Sequence, residues 1–131
     1  MEDLETKVNV FESIKHIDEN GNEYWYAREL QKILEYKEWR KFNDVITKSK
    51  IACEKSNQKA DNHFVHLDEM INIAKGAKRK ILDYNLSRYA CYLIVQNADS
   101  REKVIALAQT YFAVQTIICF LKMKKEFIKE I

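Results

Sequence analysis

The spacing of apolar and polar positions along the 131-residue chain changes several times, and each change marks an element. Between Phe11 and Tyr26, the β-favouring runs Ile14 to Ile17 and Tyr24 to Tyr26 flank Asn20-Gly21-Asn22. An Asn-Gly pair between such runs predicts a hairpin, because both residues accept the positive φ of a tight turn. From Ala27 to Glu35 the period becomes helical. Ala27, Leu30, Ile33 and Leu34 share one side, with Arg28, Glu29, Gln31 and Lys32 on the other. After a break at Glu35 to Lys37, the positions Trp39, Phe42, Val45, Ile46, Ser49, Ala52 and Cys53 recur at steps of three and four, predicting a second helix from Lys37 to Lys55. Two helices so closely joined form a helical corner. It resembles a helix-turn-helix, a local signature shared with domains that bind no DNA.

The polar stretch Ser56 to Asn62 is expected to be a loop. Phe64 to Leu86 fits two templates: Phe64, Leu67, Ile71 and Ala74 suit a helix, whereas Ile71, Ile73 and the tip containing Gly76 suit strands. The balance leans to strand pieces around the basic tip. Ser87 can cap a helix carrying Ala90, Cys91, Leu93 and Ile94 as far as Asn97. Asp99-Ser100 is expected to cap a last helix from Arg101 toward Ile131. The first half of that helix is apolar nearly all round, so more than one face needs cover. Homodimerisation follows as an expectation, with Ile117, Ile118, Phe120 and Leu121 as the candidate interface. The stretch Val104 to Leu121 carries no charge and has the length of a membrane span, but Gln109, Thr110, Gln115 and Thr116 within it point to a buried helix.

Composition narrows the class. With no proline, 2 glycines and 47% apolar residues, the chain suits one helix-rich domain with its own core. Its 3 cysteines, Cys53, Cys91 and Cys119, are spaced within apolar runs and read as reduced thiols of a cytoplasmic protein. Met1 to Val10 has neither a basic nor an apolar segment of the kind that directs secretion. A formal charge of +2 excludes a general polycation, so any attraction to nucleic acid must be local.

Lys41, Lys48 and Lys55 recur every seven residues, with Asp44 placed to pair within the stripe, and are read as a solvated helix face. The run Lys75, Lys78, Arg79 and Lys80 differs. No acid lies between Asp68-Glu69 and Asp83, so it is the first candidate for phosphate contact, with a solubilising loop as the alternative reading. Arg28, Lys37, Arg40 and Lys41, near the helical corner, form the second candidate group. His63, His66, Asp68 and Glu69 match no familiar zinc spacing. Neither a phosphate-binding glycine loop nor a nucleophile elbow occurs, and the expectation is no enzyme, no metal and no cofactor. Most of the aromatic residues are expected in the core, with one or two exposed tyrosines available to stack on bases.

Asn20-Gly21, Trp25, Ala27-Arg28, Leu30, Leu34, Tyr36, Trp39 and Phe42 together resemble the N-terminal domain of BRO-type viral proteins and phage antirepressors. Leu86-Ser87-Arg88-Tyr89-Ala90-Cys91-Tyr92-Leu93, Gln96-Asn97 and the string from Gln109 to Thr116 resemble the bacterial DNA-damage-inducible protein D family. This resemblance implies a BRO-N-like α+β domain, predominantly helical, over residues 1–116, with 117–131 a divergent continuation of the last helix. The architecture it implies is a small β-hairpin component, a helical corner and a long C-terminal helix. It further implies a cytoplasmic, non-catalytic role in the SOS response to DNA damage, exerted on DNA or on recombinase filaments, without a cofactor. Family members usually continue after the Gln-Thr pair with a polar, charged helix and a substantial further region, whereas here Ile117-Ile118-Cys119-Phe120-Leu121 follow. Two functions are therefore weighed: a DNA-binding module, and a homodimerising protein-interaction module that modulates recombinase filaments or a repressor without touching DNA.

Overall fold

The computed structural model describes residues 10–99 and 102–130; within the last helix the side chains of Phe120, Met123 and 126–130 fall outside that description. A helical turn at 10–13 leads into β1 (His16–Ile17) and β2 (Glu23–Tyr26). Helices α1 (Ala27–Ile33) and α2 (Trp39–Lys55) follow, then one helical turn, α3 (Ala60–His63). Strands β3 (Phe64–Asn72) and β4 (Lys78–Leu86) precede α4 (Arg88–Asn97) and the long α5 (Lys103–Glu130). The strands form an antiparallel sheet in the order β1-β2-β4-β3, giving a predominantly helical α+β domain.

One face of the sheet root is covered by α2, α4 and α5. Alternation along the strands sends Trp25, Phe64, Tyr84 and Leu86 toward them, all buried. Trp25 is at the centre: its ring meets Phe112 edge-on at 5.5 Å, and its Nε1 donates to the Phe11 carbonyl at 3.1 Å. The first half of α5 supplies Val104, Ile105, Ala108, Tyr111 and Phe112 to this core, whereas Val114, Ile117 and Leu121 beyond it are exposed. Among the described residues, no helix is long and apolar enough to cross a membrane.

Three local expectations are corrected. The first turn is wider than a two-residue Asn-Gly hairpin, because Asp18 Oδ1 accepts from the backbone of both Asn20 and Asn22 at 2.9 Å. The segment expected to be a loop from Ser56 contains α3, started where Glu54 Oε1 accepts from Ala60 N at 3.0 Å. The lysine stripe of α2 is a solvated face as expected, but without the pairing expected of Asp44, which forms no ion pair among the described residues. The Ser87 cap forms as expected, its hydroxyl accepting from Ala90 N at 3.0 Å. Of the second expected cap, Ser100 lies outside the described residues, and α5 begins at Lys103.

The helical corner ends α1 in a Schellman-type arrangement: Tyr36 N donates to Gln31 O at 3.1 Å, and Glu35 takes the left-handed conformation at φ 64°. Glycine usually occupies that position. Glu35 is exposed, so Glu35→Gly should raise stability by about 0.5–1 kcal/mol, read as a shifted urea midpoint at unchanged slope.

Candidate nucleic-acid interface

The pairing of β3 with β4 runs from Phe64↔Leu86 to Asn72↔Lys78, but β2 accompanies β4 only at Trp25↔Leu86 and Tyr26↔Asn85. Beyond Asn85 the two strands therefore leave the sheet as a ribbon. Every residue from 70 to 80 is exposed, and at about 3.3 Å per residue the ribbon reaches roughly 20 Å past Glu69. Its tip is a tight loop at Ala74–Gly76, in which Lys75 has φ 63° and Gly76 φ 75°, and Ile73 N donates to Ala77 O at 2.9 Å.

This arm carries the first candidate group together. Lys80 pairs with Asp68 at 3.1 Å, and His66 meets the same carboxylate at 3.2 Å. Chiefly through the hydrogen bond from Lys80, the Asp68 carboxyl is held below its usual range. Lys75, Lys78 and Arg79 have no carboxylate partner among the described residues. Register puts Lys78 and Lys80 on one face with Met70, and Arg79 on the other with Ile71 and Ile81, so positive charge surrounds the tip.

The second group divides. Lys37, Arg40 and Lys41 are exposed at the corner, with Arg40 only loosely near Glu38 at 3.9 Å. Arg28 is drawn inward: its Nε donates to Leu82 O at 2.9 Å and its guanidinium lies 3.8 Å over the Trp39 ring. Its backbone N–H donates to Asp83 Oδ1 at 2.9 Å. Arg28 thus ties α1 and α2 to the root of the arm.

Asp83 is an acid the charge pattern marked only as a boundary. It is 1% exposed, accepts from Arg28 N and its own neighbour Tyr84 N, and lies diagonally across the ladder from Glu69. A hydrogen bond with Asp83, reinforced by burial and by Asp83's charge, holds the Glu69 carboxyl at about 7. A carboxyl raised in the folded state binds its proton more tightly there than in the unfolded chain. Stability from this pair is therefore complete below the ordinary carboxylate range and is lost as pH rises through about 7. Glu69→Gln should raise the Tm at pH 8 and leave it nearly unchanged at pH 4, as followed by thermal melts.

On the outer face of the sheet, His16, Tyr24 and Tyr26 pack on one another with ring centroids 4.8–5.5 Å apart and are half-buried. A cleft of about 750 Å³ opens nearby between the β1–β2 loop, the start of α4 and Thr116 and Cys119 of α5. Its guanidinium, Arg88, is already gripped in bidentate fashion by Glu23, and Asp18 adds a further negative charge. That balance makes the cleft a poor phosphate site. His63 is turned to Ser87, 2.7 Å away, and does not converge with His66. Of the candidate dimer residues, Ile117, Ile118 and Leu121 are exposed, and the Phe120 side chain lies outside the described residues.

The profile of the BRO family N-terminal domain matches residues 13–115. The chain belongs to this family. As a BRO-N domain it is 53% identical over 106 residues to DNA damage-inducible protein D of Escherichia coli (strain K12). That match covers 81% of this chain and 39% of the relative, so the chain spans about two-fifths of the relative's length. No solved structure matches.

Proposed function

We propose that this BRO-N domain is a non-catalytic DNA-binding module that grips the duplex through its arm. The observation that carries the reading is the ribbon itself: Lys75, Lys78 and Arg79, with no carboxylate partner among the described residues, stand at the end of an exposed two-stranded arm. A β-ribbon fits a DNA groove, and cations with reach and no internal partner can replace the counterions of phosphates. Exposed Lys37, Arg40 and Lys41 supply a second contact patch at the corner. The similarity to a DNA damage-inducible protein supports a role in the cytoplasmic SOS response to DNA damage.

A second reading rests on α5, where Val114, Ile117 and Leu121 are 48–58% exposed. That stripe favours a homodimer, or a module that acts on recombinase filaments or a repressor without contacting DNA. Fluorescence anisotropy of labelled duplex and single-stranded DNA at two salt concentrations separates the readings. Binding that weakens steeply with salt is expected of the arm; no binding at low salt sinks the DNA reading and leaves the α5 surface.

A further inference from the structure

We propose that the arm tip inserts Ile71 and Ile73 as an apolar wedge into the minor groove and kinks the duplex, a mode that rests on the DNA-binding reading above. Ile71 is 37% exposed and Ile73 47% exposed, and Met70, on the opposite face of the ribbon, is 61% exposed. Among the described residues neither sheet neighbour nor helix packs on this part of the ribbon, and both isoleucine side chains stay open to solvent. Register places Ile71, Ile73 and Ala77 on the same face of the ribbon, opposite Lys78 and Lys80, with Lys75 at the loop and Arg79 directly across from Ile71. A partner complementary to this tip has an apolar interior bounded by negative charge.

Stacked bases seen from the minor groove, between two rows of phosphates, have that character. An undeformed minor groove, about 6 Å wide, is narrow for a ribbon whose two strands alone stand about 4.8 Å apart before side chains are added. Wedging apolar side chains between base steps bends the duplex toward the major groove and opens the minor groove, which removes the misfit. Lys75, Lys78 and Arg79 then lie beside the phosphate rows rather than above them. An anionic lipid surface also combines apolar depth with surface charge. It is disfavoured because two isoleucines bury far less than the single myristoyl chain that gives only marginal membrane binding.

Base steps that unstack easily should be preferred. Duplexes with a central TA step or a small mismatch should bind about tenfold more tightly than a GC-rich duplex of equal length, because deforming them costs less. The test is energy transfer between dyes at the two ends of a short TA-centred duplex. Wild-type protein is compared with Ile71→Thr/Ile73→Thr, which keeps β-branching at two exposed positions of extended backbone. The wild type should bring the ends together, and the double variant should bind within about tenfold of it yet leave the duplex straight. Binding without bending by the wild type, or equal bending by the variant, overturns the wedge while leaving DNA binding intact. No DNA binding, with co-sedimentation on phosphatidylserine vesicles, overturns both.

Discussion

Replacing Lys75, Lys78 and Arg79 together by serine should weaken duplex binding by about 10²–10³-fold near 0.1 M salt, because each lost phosphate contact forfeits roughly 0.9 of a counterion released. The slope of log affinity against log salt should become shallower by about 3 for the same reason. The three side chains are exposed and pair with no carboxylate among the described residues, so thermal stability should change little. Lys80 is left in place because Asp68 already partners it. A salt slope unchanged by the triple substitution would place the phosphate contacts elsewhere, with the corner residues Lys37, Arg40 and Lys41 next in line.

The largest loss of stability is expected from Trp25→Ala, about 3–5 kcal/mol from the cavity and lost packing, plus the carbonyl of Phe11 left without its donor. A domain of this size holds roughly 5–15 kcal/mol, so the variant should unfold at much lower urea, followed by helical circular dichroism. Trp25 also pairs with Leu86 at the root of the arm and lies 5.4 Å from the Arg88 guanidinium that Glu23 grips. Its loss should therefore loosen the base from which the arm projects. A drop of under about 1 kcal/mol would contradict this placement of the core.

The helices were legible because each buries one face, and burial is what helical periodicity records. Phe42, Val45, Ile46, Ser49 and Cys53 lie on the inner side of α2, and the apolar start of α5 fills the core. The segment 64–86 was ambiguous for the converse reason. From 70 to 80 the ribbon has solvent on both faces and no buried side, so Ile71 and Ile73 are exposed, whereas at the root of the same strands the acidic Asp83 is among the most buried residues. The charge run at the tip could be read from sequence alone, since it needed only the spacing of acids and bases. Arg28 could not be sorted from its neighbours in this way. Its partners Leu82 and Asp83 lie 54 and 55 residues away, and only the folded chain brings them together. The raised Glu69 has the same origin, a diagonal contact across a ladder whose register the sequence did not disclose.

The most direct test of arm-mediated DNA binding is a nitrogen-15 NMR titration of the 131-residue chain with a short duplex. Amide shifts are expected to concentrate from Met70 to Lys80, with a weaker set near Lys37 to Lys41, while α5 stays still. Shifts confined to the second half of α5, or to the cleft beside Arg88, with the arm unmoved, would contradict arm-mediated binding.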